Sequence, residues 1–316
     1  MKKWMLFFMI SMAVVVFAAC NGDGGEESQS GDQADSSSDS ITISHEYGEV
    51  SVKKNPENVV VFDFGILDTL DELGVEASGI PQATVPEYLD KYSSSDYINV
   101  GSLKEPDFEA IHGMEPDVIF ISTRQSELYD QFSEIAPTVY LEIDYENYME
   151  SFKTNMETLG KIFGKEEQIQ AELEDIDSRV AAAREKTAGL DQKALIVLAN
   201  EGKVSAYGPS SRYGLIHDVF GFKPADENIE VSQHGQGISF EYILENNPDI
   251  LFVIDRNAAL DSGAEPAKAT IENDLVKKTS AYKEGKIIYL DADYWYLSGG
   301  GLQSMKAMIT SLENAY

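Results

Sequence analysis

Apolar positions along this chain follow two different periods. Ile41-Thr42-Ile43-Ser44 and Glu49-Val50-Ser51-Val52 alternate residue by residue, and two such pieces close together predict a small hairpin. Val59-Val60-Val61-Phe62 is a continuous apolar run, as in a strand covered on both faces. It is followed by Gly65 to Leu73 at helical spacing, with Gly74 as the stop. Strand, helix, strand then recurs to about Tyr140. From 148 to 188 the pattern becomes long, polar and amphipathic, with Leu159, Ile162, Phe163, Ile169, Leu173, Ile176 and Val180 near helical spacing. No strand-like run interrupts it, so it predicts one helix bridging two lobes, with Gly160 and Gly164 as the places where it would bend or break. A coiled coil would need sustained heptads, which are missing. Beyond it, Ala194 to Leu198, a hairpin through Gly202, Val204 to Tyr207 and Ile287 to Leu290 supply further strands before a final helix.

A longer regularity lies across this pattern. Residues 108–124 align without a gap on residues 240–256: Phe108-Glu109 answers Phe240-Glu241, Pro116-Asp117 answers Pro248-Asp249, and Arg124 answers Arg256. Each copy reads as helix, turn, buried strand, arginine. Tyr213-Gly214-Leu215-Ile216 echoes Phe64-Gly65-Ile66-Leu67 more weakly. The expected fold is therefore α/β: two Rossmann-like lobes with mostly parallel sheets, 41–147 and 191–316, joined by one long helix over 148–190. In open α/β sheets ligands sit beyond the carboxyl ends of the strands, where Arg124 and Arg256 fall. Facing lobes would put both arginines on one cleft.

The first forty residues stand apart. Lys2 and Lys3, the apolar stretch Trp4 to Phe17 and Ala18-Ala19-Cys20 have the layout of a secretory signal. Cys20, the only cysteine, stands where a lipoprotein signal places the residue that is lipidated, so 1–20 is read as the signal. The apolar stretch is shorter than the roughly 20 residues a spanning helix needs. Residues 21–40 are almost entirely Gly, Ser, Gln, Asp and Glu without an aromatic, a disordered acidic tether.

A formal charge of −31 excludes nucleic acid as a partner, because a phosphate backbone calls for basic patches. It also isolates the arginines. Of five, Arg179 and Arg184 belong to the charged helix, which leaves Arg124, Arg212 and Arg256 in loops at element ends. Guanidinium stays charged, forks onto oxygens and stacks on rings, so three of them against a negative background point to an anionic ligand. Tyr294, Trp295 and Tyr296, followed by Gly299 to Gly301, suggest an aromatic wall beside close backbone, with Asp63, Phe64 and Gly65 as the opposite wall. His234 and Gln236 lie in a loop that would reach the ligand. Glu109 and Glu241 share a place near a helix start, where the helix dipole alone favours a carboxylate. The four histidines lack the spacing of a helical metal motif, and no nucleophile has a base beside it.

Taken together, the lipid-anchor signal, the two α/β lobes, the linking helix, and Pro-Asp-Phe-Glu (106–109) answered by Ser-Phe-Glu (239–241) resemble the helical-backbone class (class III) of periplasmic-type solute-binding proteins. That class serves ABC importers of iron-siderophore complexes, haem and vitamin B12. The blocks Val60 to Gly65, Gly101 to Phe108, Ser211 to Gly221 and Trp295 to Gly301 are similar, more narrowly, to petrobactin-binding lipoproteins of Gram-positive bacilli. The resemblance implies that Arg124, Arg212 and Arg256 receive an anionic ferric catecholate siderophore. It implies that Glu109 and Glu241 dock onto the permease of an ABC importer, and that the protein is held on the extracytoplasmic face of the cell membrane. Iron would arrive as Fe(III) within the siderophore, so neither a cofactor nor a protein metal ligand is expected, and no enzymatic activity. Another iron chelate, haem, vitamin B12 or a secreted siderophore esterase remain the alternatives.

Overall fold

A computed structural model describes residues 39–313 and 315, apart from 233, 261, 262 and 264. The signal, Cys20 and all but the last two residues of the tether lie outside the described residues. The hairpin forms as predicted: β1 (Ser40–His45) pairs antiparallel with β2 (Gly48–Lys53), with Ile41 opposite Val52 and Ile43 opposite Val50.

Five parallel strands build the first sheet, in the order β5-β4-β3-β6-β7. From β3 (Val59–Val61), helix α1 (Phe64–Glu72) leads outward to β4 (Gly79–Ile80) and β5 (Ile98–Asn99). Helix α2 (Phe108–Met114) then returns the chain to the other side of β3, to β6 (Val118–Ile121) and β7 (Thr138–Tyr140). The direction of winding reverses between β3 and β6, and such a switch point opens a crevice at the strands' carboxyl ends. Every residue of β3 and β6 is buried, as their apolar runs require.

The amphipathic stretch is two helices rather than the single one expected over 148–190. Helix α3 (Tyr148–Phe163) ends at Gly164, whose φ of 61° is left-handed, and α4 (Glu166–Ala188) starts afresh. Gly160 plays a different part: a Cβ there would lie 3.2 Å from Ile169, so its bare backbone lets α4 fold back against α3. The link between the sheets is therefore α4, about 34 Å long at 1.5 Å per residue. Near its start Gln168 donates to the Glu72 carbonyl, and near its end the Thr187 hydroxyl donates to the Phe220 carbonyl at 2.6 Å.

The second sheet runs β11-β9-β8-β12-β13. Its centre is β8 (Lys193–Asn200) parallel to β12 (Ile250–Asp255), with β13 (Ile287–Leu290) parallel beyond. On the other side, β9 (Lys203–Tyr207) turns back antiparallel and carries β11 (Gln236–Ile238), while short β10 (Lys223–Pro224) joins the start of β8. Again the winding reverses between the central pair.

The repeat holds in three dimensions. Helices α2 and α5 (Phe240–Asn246) are capped by Asp107 and Ser239, and both end in a left-handed residue, Glu115 and Asn247. The Pro-Asp pairs serve a common purpose. Asp117 accepts from the amides of Glu57 and Asn58, which holds its carboxyl below the usual range, and Asp249 accepts from the Lys193 amide. Each aspartate thus ties its strand to the entrance of the neighbouring one.

The last helix, α6 (Leu302–Glu313), departs from the expected 191–316 lobe by packing against α1 and α4. Fully buried Asp68 caps it, accepting from the Gln303 and Ser304 amides at 2.7 Å each and from the Tyr88 hydroxyl at 2.8 Å. Lys306 lies 2.8 Å from both Glu72 of α1 and Glu172 of α4. This closure requires glycine: a Cβ on Gly301 would strike the carbonyl of Gly65 and the carboxylate of Asp68.

Candidate functional site

Both switch points end in arginine. Arg124 sits in a tight turn, Thr123–Leu128, directly after β6. The turn is pinned by the Gln125 amide, which donates to the Leu103 carbonyl at 2.6 Å. Ser122 donates to Asp63 at 2.6 Å, and Asp63 in turn caps α1 through the Gly65 and Ile66 amides. Arg124 Nη1 lies 3.8 Å from the same carboxylate. In the second half, Arg256 opens a single helical turn after β12, held by Asp255 accepting from the Asn257 and Ala258 amides. Arg212 comes from the turn beyond β9, which Asp218 holds by accepting from the Ser210 amide at 2.6 Å.

All three guanidinium groups meet at one residue. Tyr296 lies in a π-helical turn, Asp293–Leu297. Its carbonyl oxygen accepts from Arg124 at 2.9 Å and from Arg212 at 2.6 Å, and its hydroxyl accepts from Arg256 Nε at 2.8 Å. Arg212 also lies over the Tyr296 ring, 4.5 Å from the centroid, and Arg256 donates to Asn200 at 2.6 Å. Burial raises the pKa of the Tyr296 hydroxyl. The Arg256 hydrogen bond and the charges of Arg256, Arg212 and Arg124 outweigh it, leaving the pKa below that of an ordinary tyrosine. The locus is electropositive in a protein that is otherwise strongly acidic.

Arg124, Arg212 and Tyr296 line a cavity of about 90 Å³, whose other walls include Asp63, Tyr145, Tyr148, Tyr213 and Trp295. A groove of about 370 Å³ shares Thr123, Ile143, Tyr145 and Arg212 with it. Sites for drug-sized ligands measure about 300–1,000 Å³, so the groove has room for the body of a ligand and the cavity for the end of one arm. Arg256 does not line either space and reaches the site through the Tyr296 hydroxyl.

The other expected residues divide. Trp295 is buried in the cavity floor, its indole N–H donating to Ser311. Tyr294 turns aside, packing 4.4 Å from the Tyr88 ring, outside the cavity lining. Phe64 is fully buried in the core rather than on the cleft, because its side chain leaves α1 on the sheet-facing side; its neighbour Asp63 takes the wall. His234 is exposed in a turn, and Gln236 is spent accepting from the Glu230 amide; neither lines the cavity or the groove, although Val231 and Ser232 of the same loop do. Glu109 and Glu241 are exposed at matching places in the first turns of α2 and α5. Sequence reasoning missed Tyr145, Tyr148 and Tyr213. The only available signal was that Tyr213 adjoins Arg212. Among the described residues, no group of three or more His, Cys, Asp or Glu side chains is placed to hold a metal ion.

Known proteins share this architecture and much of this sequence. The petrobactin-binding protein YclQ of Bacillus subtilis (strain 168) is 49% identical over 318 residues, covering 99% of each chain. The crystal structure of YclQ superposes with a TM-score of 0.85 at 52% identity, covering 87% of this chain and 98% of that one. The periplasmic catecholate-siderophore binding protein VctP of Vibrio cholerae gives 0.81 at 36% identity, covering 87% and 99%. Residues 59–294, which carry both sheets and all three arginines, match the model of the periplasmic binding proteins, and the chain belongs to that family.

Proposed function

We propose that this protein captures an anionic ferric siderophore of the catecholate type, petrobactin in the first instance, and delivers it to an ABC importer. The observation that carries this reading is the convergence of Arg124 and Arg212, from opposite halves of the fold, on the Tyr296 carbonyl, with Arg256 behind the same residue. At an effective dielectric of about 20, each unit charge pair at roughly 4 Å contributes about 4 kcal/mol before desolvation. Several such pairs favour a multiply charged anion over a neutral ligand. The similarity to a petrobactin-binding and a catecholate-siderophore binding protein supports the same ligand class.

Iron enters as cargo already held by the siderophore's oxygens, so the protein supplies charge and shape but no metal ligand and no resident cofactor. It releases the ligand chemically unchanged. Glu109 and Glu241 present one carboxylate from each half to arginines of the permease, and Cys20 carries the lipid that keeps the protein at the outer face of the cell membrane.

Trp295 in the cavity floor provides the assay. Its fluorescence is expected to be quenched by ferric petrobactin at much lower concentration than by a neutral ferric hydroxamate, haem or vitamin B12. Mass spectrometry of the recovered siderophore should show no product. Equal affinity for the neutral ligands, or turnover of the siderophore, would refute the proposal.

A further inference from the structure

One side chain of the cavity lining carries a buried polar group that its surroundings leave unsatisfied. Tyr213 is only 1% exposed, and its hydroxyl has no hydrogen-bond partner among the described residues. A buried hydroxyl in that condition is costly to folding, yet the residue lines the cavity and is held firmly there. Its ring stands edge-on to Tyr207 at 4.7 Å, and the Arg212 guanidinium lies 5.3 Å from its centroid. Arg212 is also close enough to Tyr145, Tyr207 and Tyr296 for its charge to act on each of them. Four phenols from different parts of the chain thus surround one guanidinium.

The chemistry of these neighbours fixes what is missing. Guanidinium only donates hydrogen bonds, and the Tyr296 hydroxyl already accepts from Arg256. Beside a fixed positive charge, the favourable use of the Tyr213 hydroxyl is to give its proton to a negatively charged oxygen. At about 90 Å³ the cavity is well below the roughly 300–1,000 Å³ of a site for a drug-sized ligand, so it takes one end of a ligand. That is room for a carboxylate or the oxygen edge of a catecholate, and not for a whole siderophore.

We infer that Tyr213 is a specificity-determining residue of the cleft, whose hydroxyl donates to an anionic oxygen at the tip of one ligand arm while Arg212 neutralises the same group. This deepens the anionic-siderophore reading and rests on it. A site built to hydrogen-bond a ligand oxygen rejects ligands that lack one far more strongly than a site selecting on size, because the buried donor is then left unpaired.

The test is Tyr213→Phe, which keeps the ring and removes only the hydroxyl, assayed by Trp295 quenching with ferric petrobactin and with a neutral ferric trihydroxamate. Affinity for ferric petrobactin is expected to fall about tenfold, as for loss of one hydrogen bond to a charged group. Affinity for the trihydroxamate should hold, and the thermal midpoint should stay level or rise because an unpaired buried group has gone. A purely structural role would lower the midpoint without changing the ratio of the two affinities. Unchanged binding of ferric petrobactin by the variant would overturn the inference, showing that water alone satisfies the hydroxyl. If the wild-type protein binds no ferric siderophore, the functional reading fails first and takes this inference with it.

Discussion

Arg212 is bound twice to Tyr296, by a 2.6 Å hydrogen bond to its carbonyl oxygen and by stacking over its ring at 4.5 Å. The same carbonyl accepts from Arg124, which arrives from the other sheet, so the two cations are preset on one atom. Arg124→Ala and Arg212→Ala should each weaken ferric petrobactin by at least tenfold and steepen no other property of the fold. Lysine at position 212 should recover little, since a compact ammonium cannot stack and fork at once. Equilibrium titration at two salt concentrations checks both points; unchanged affinity in both alanine variants would remove the basic cleft.

Arg256 calls for a different readout because it contacts the Tyr296 hydroxyl and Asn200 and does not line the cavity. Its hydrogen bond and charge are the leading reasons that this hydroxyl ionises more readily than burial alone would allow. Arg256→Met should therefore raise the Tyr296 pKa. Ultraviolet difference titration would follow it, the most readily ionised tyrosine signal moving to higher pH in the variant and vanishing in Tyr296→Phe. The loss of ligand affinity should be smaller than for Arg212→Ala.

Much of this arrangement was legible in the sequence, and the reasons are physical. Continuous apolar runs such as Val59 to Phe62 and the Pro-Asp repeat identify buried parallel strands, since few other environments accept them. The arginines stood out because the chain has only five, and two of them lie on the charged helix. Three features were hidden. The break at Gly164 was visible as a glycine, yet Gly160 looked equivalent to it, and only the contact with Ile169 separates a helix end from a packing site. Phe64 and Tyr294 look like cleft aromatics by composition, but which way a ring points depends on the packing of α1 and of Tyr88. The part played by Tyr213, which the sequence marks only by its place next to Arg212, was hidden for a third reason: an unpaired hydroxyl is a property of its neighbours, which come from elsewhere in the chain.

The glycines divide into two groups with opposite expectations. Gly301→Ala would drive a methyl group into the Gly65 carbonyl and the Asp68 carboxylate, neither of which can swing away. It should destabilise by about 1–3 kcal/mol, the usual range for overpacking. Gly113 lies on the exposed side of α2 with nothing near its absent Cβ, so Gly113→Ala should stabilise by about 0.5–1 kcal/mol. Urea denaturation measures both, and a reversed sign in either would show that the helix contacts are placed wrongly.

Asp68 couples the joint between α1 and α6 to pH. Burial, only partly offset by hydrogen bonds from Tyr88 and the Gln303 and Ser304 amides, raises its pKa from 3.8 to about 7. Between those values the folded protein holds a proton that the unfolded chain has released, so this group's contribution to stability falls as pH rises through that window. Asp68→Asn should flatten that part of the stability profile, although the overall midpoint drops because an acceptor for one amide is lost. Thermal melts of both proteins from pH 4 to 8 test it; parallel profiles would mean that Asp68 stays ionised throughout.

The same joint limits motion between the sheets. A protein linked by α4 alone would be free to swing, whereas here α6 also bridges, through the Asp68 cap and through Lys306 held between Glu72 and Glu172. Closure on ligand should therefore be a small rotation about a stiff spine rather than a wide hinge movement. Small-angle scattering with and without ferric petrobactin should show almost the same radius of gyration in the wild type. Lys306→Met, which removes the two ion pairs and keeps most of the side chain's length, should allow a larger ligand-dependent change. A large compaction of the wild type on binding would show that the α1–α6 contact opens during the cycle and is not the fixed element of the fold.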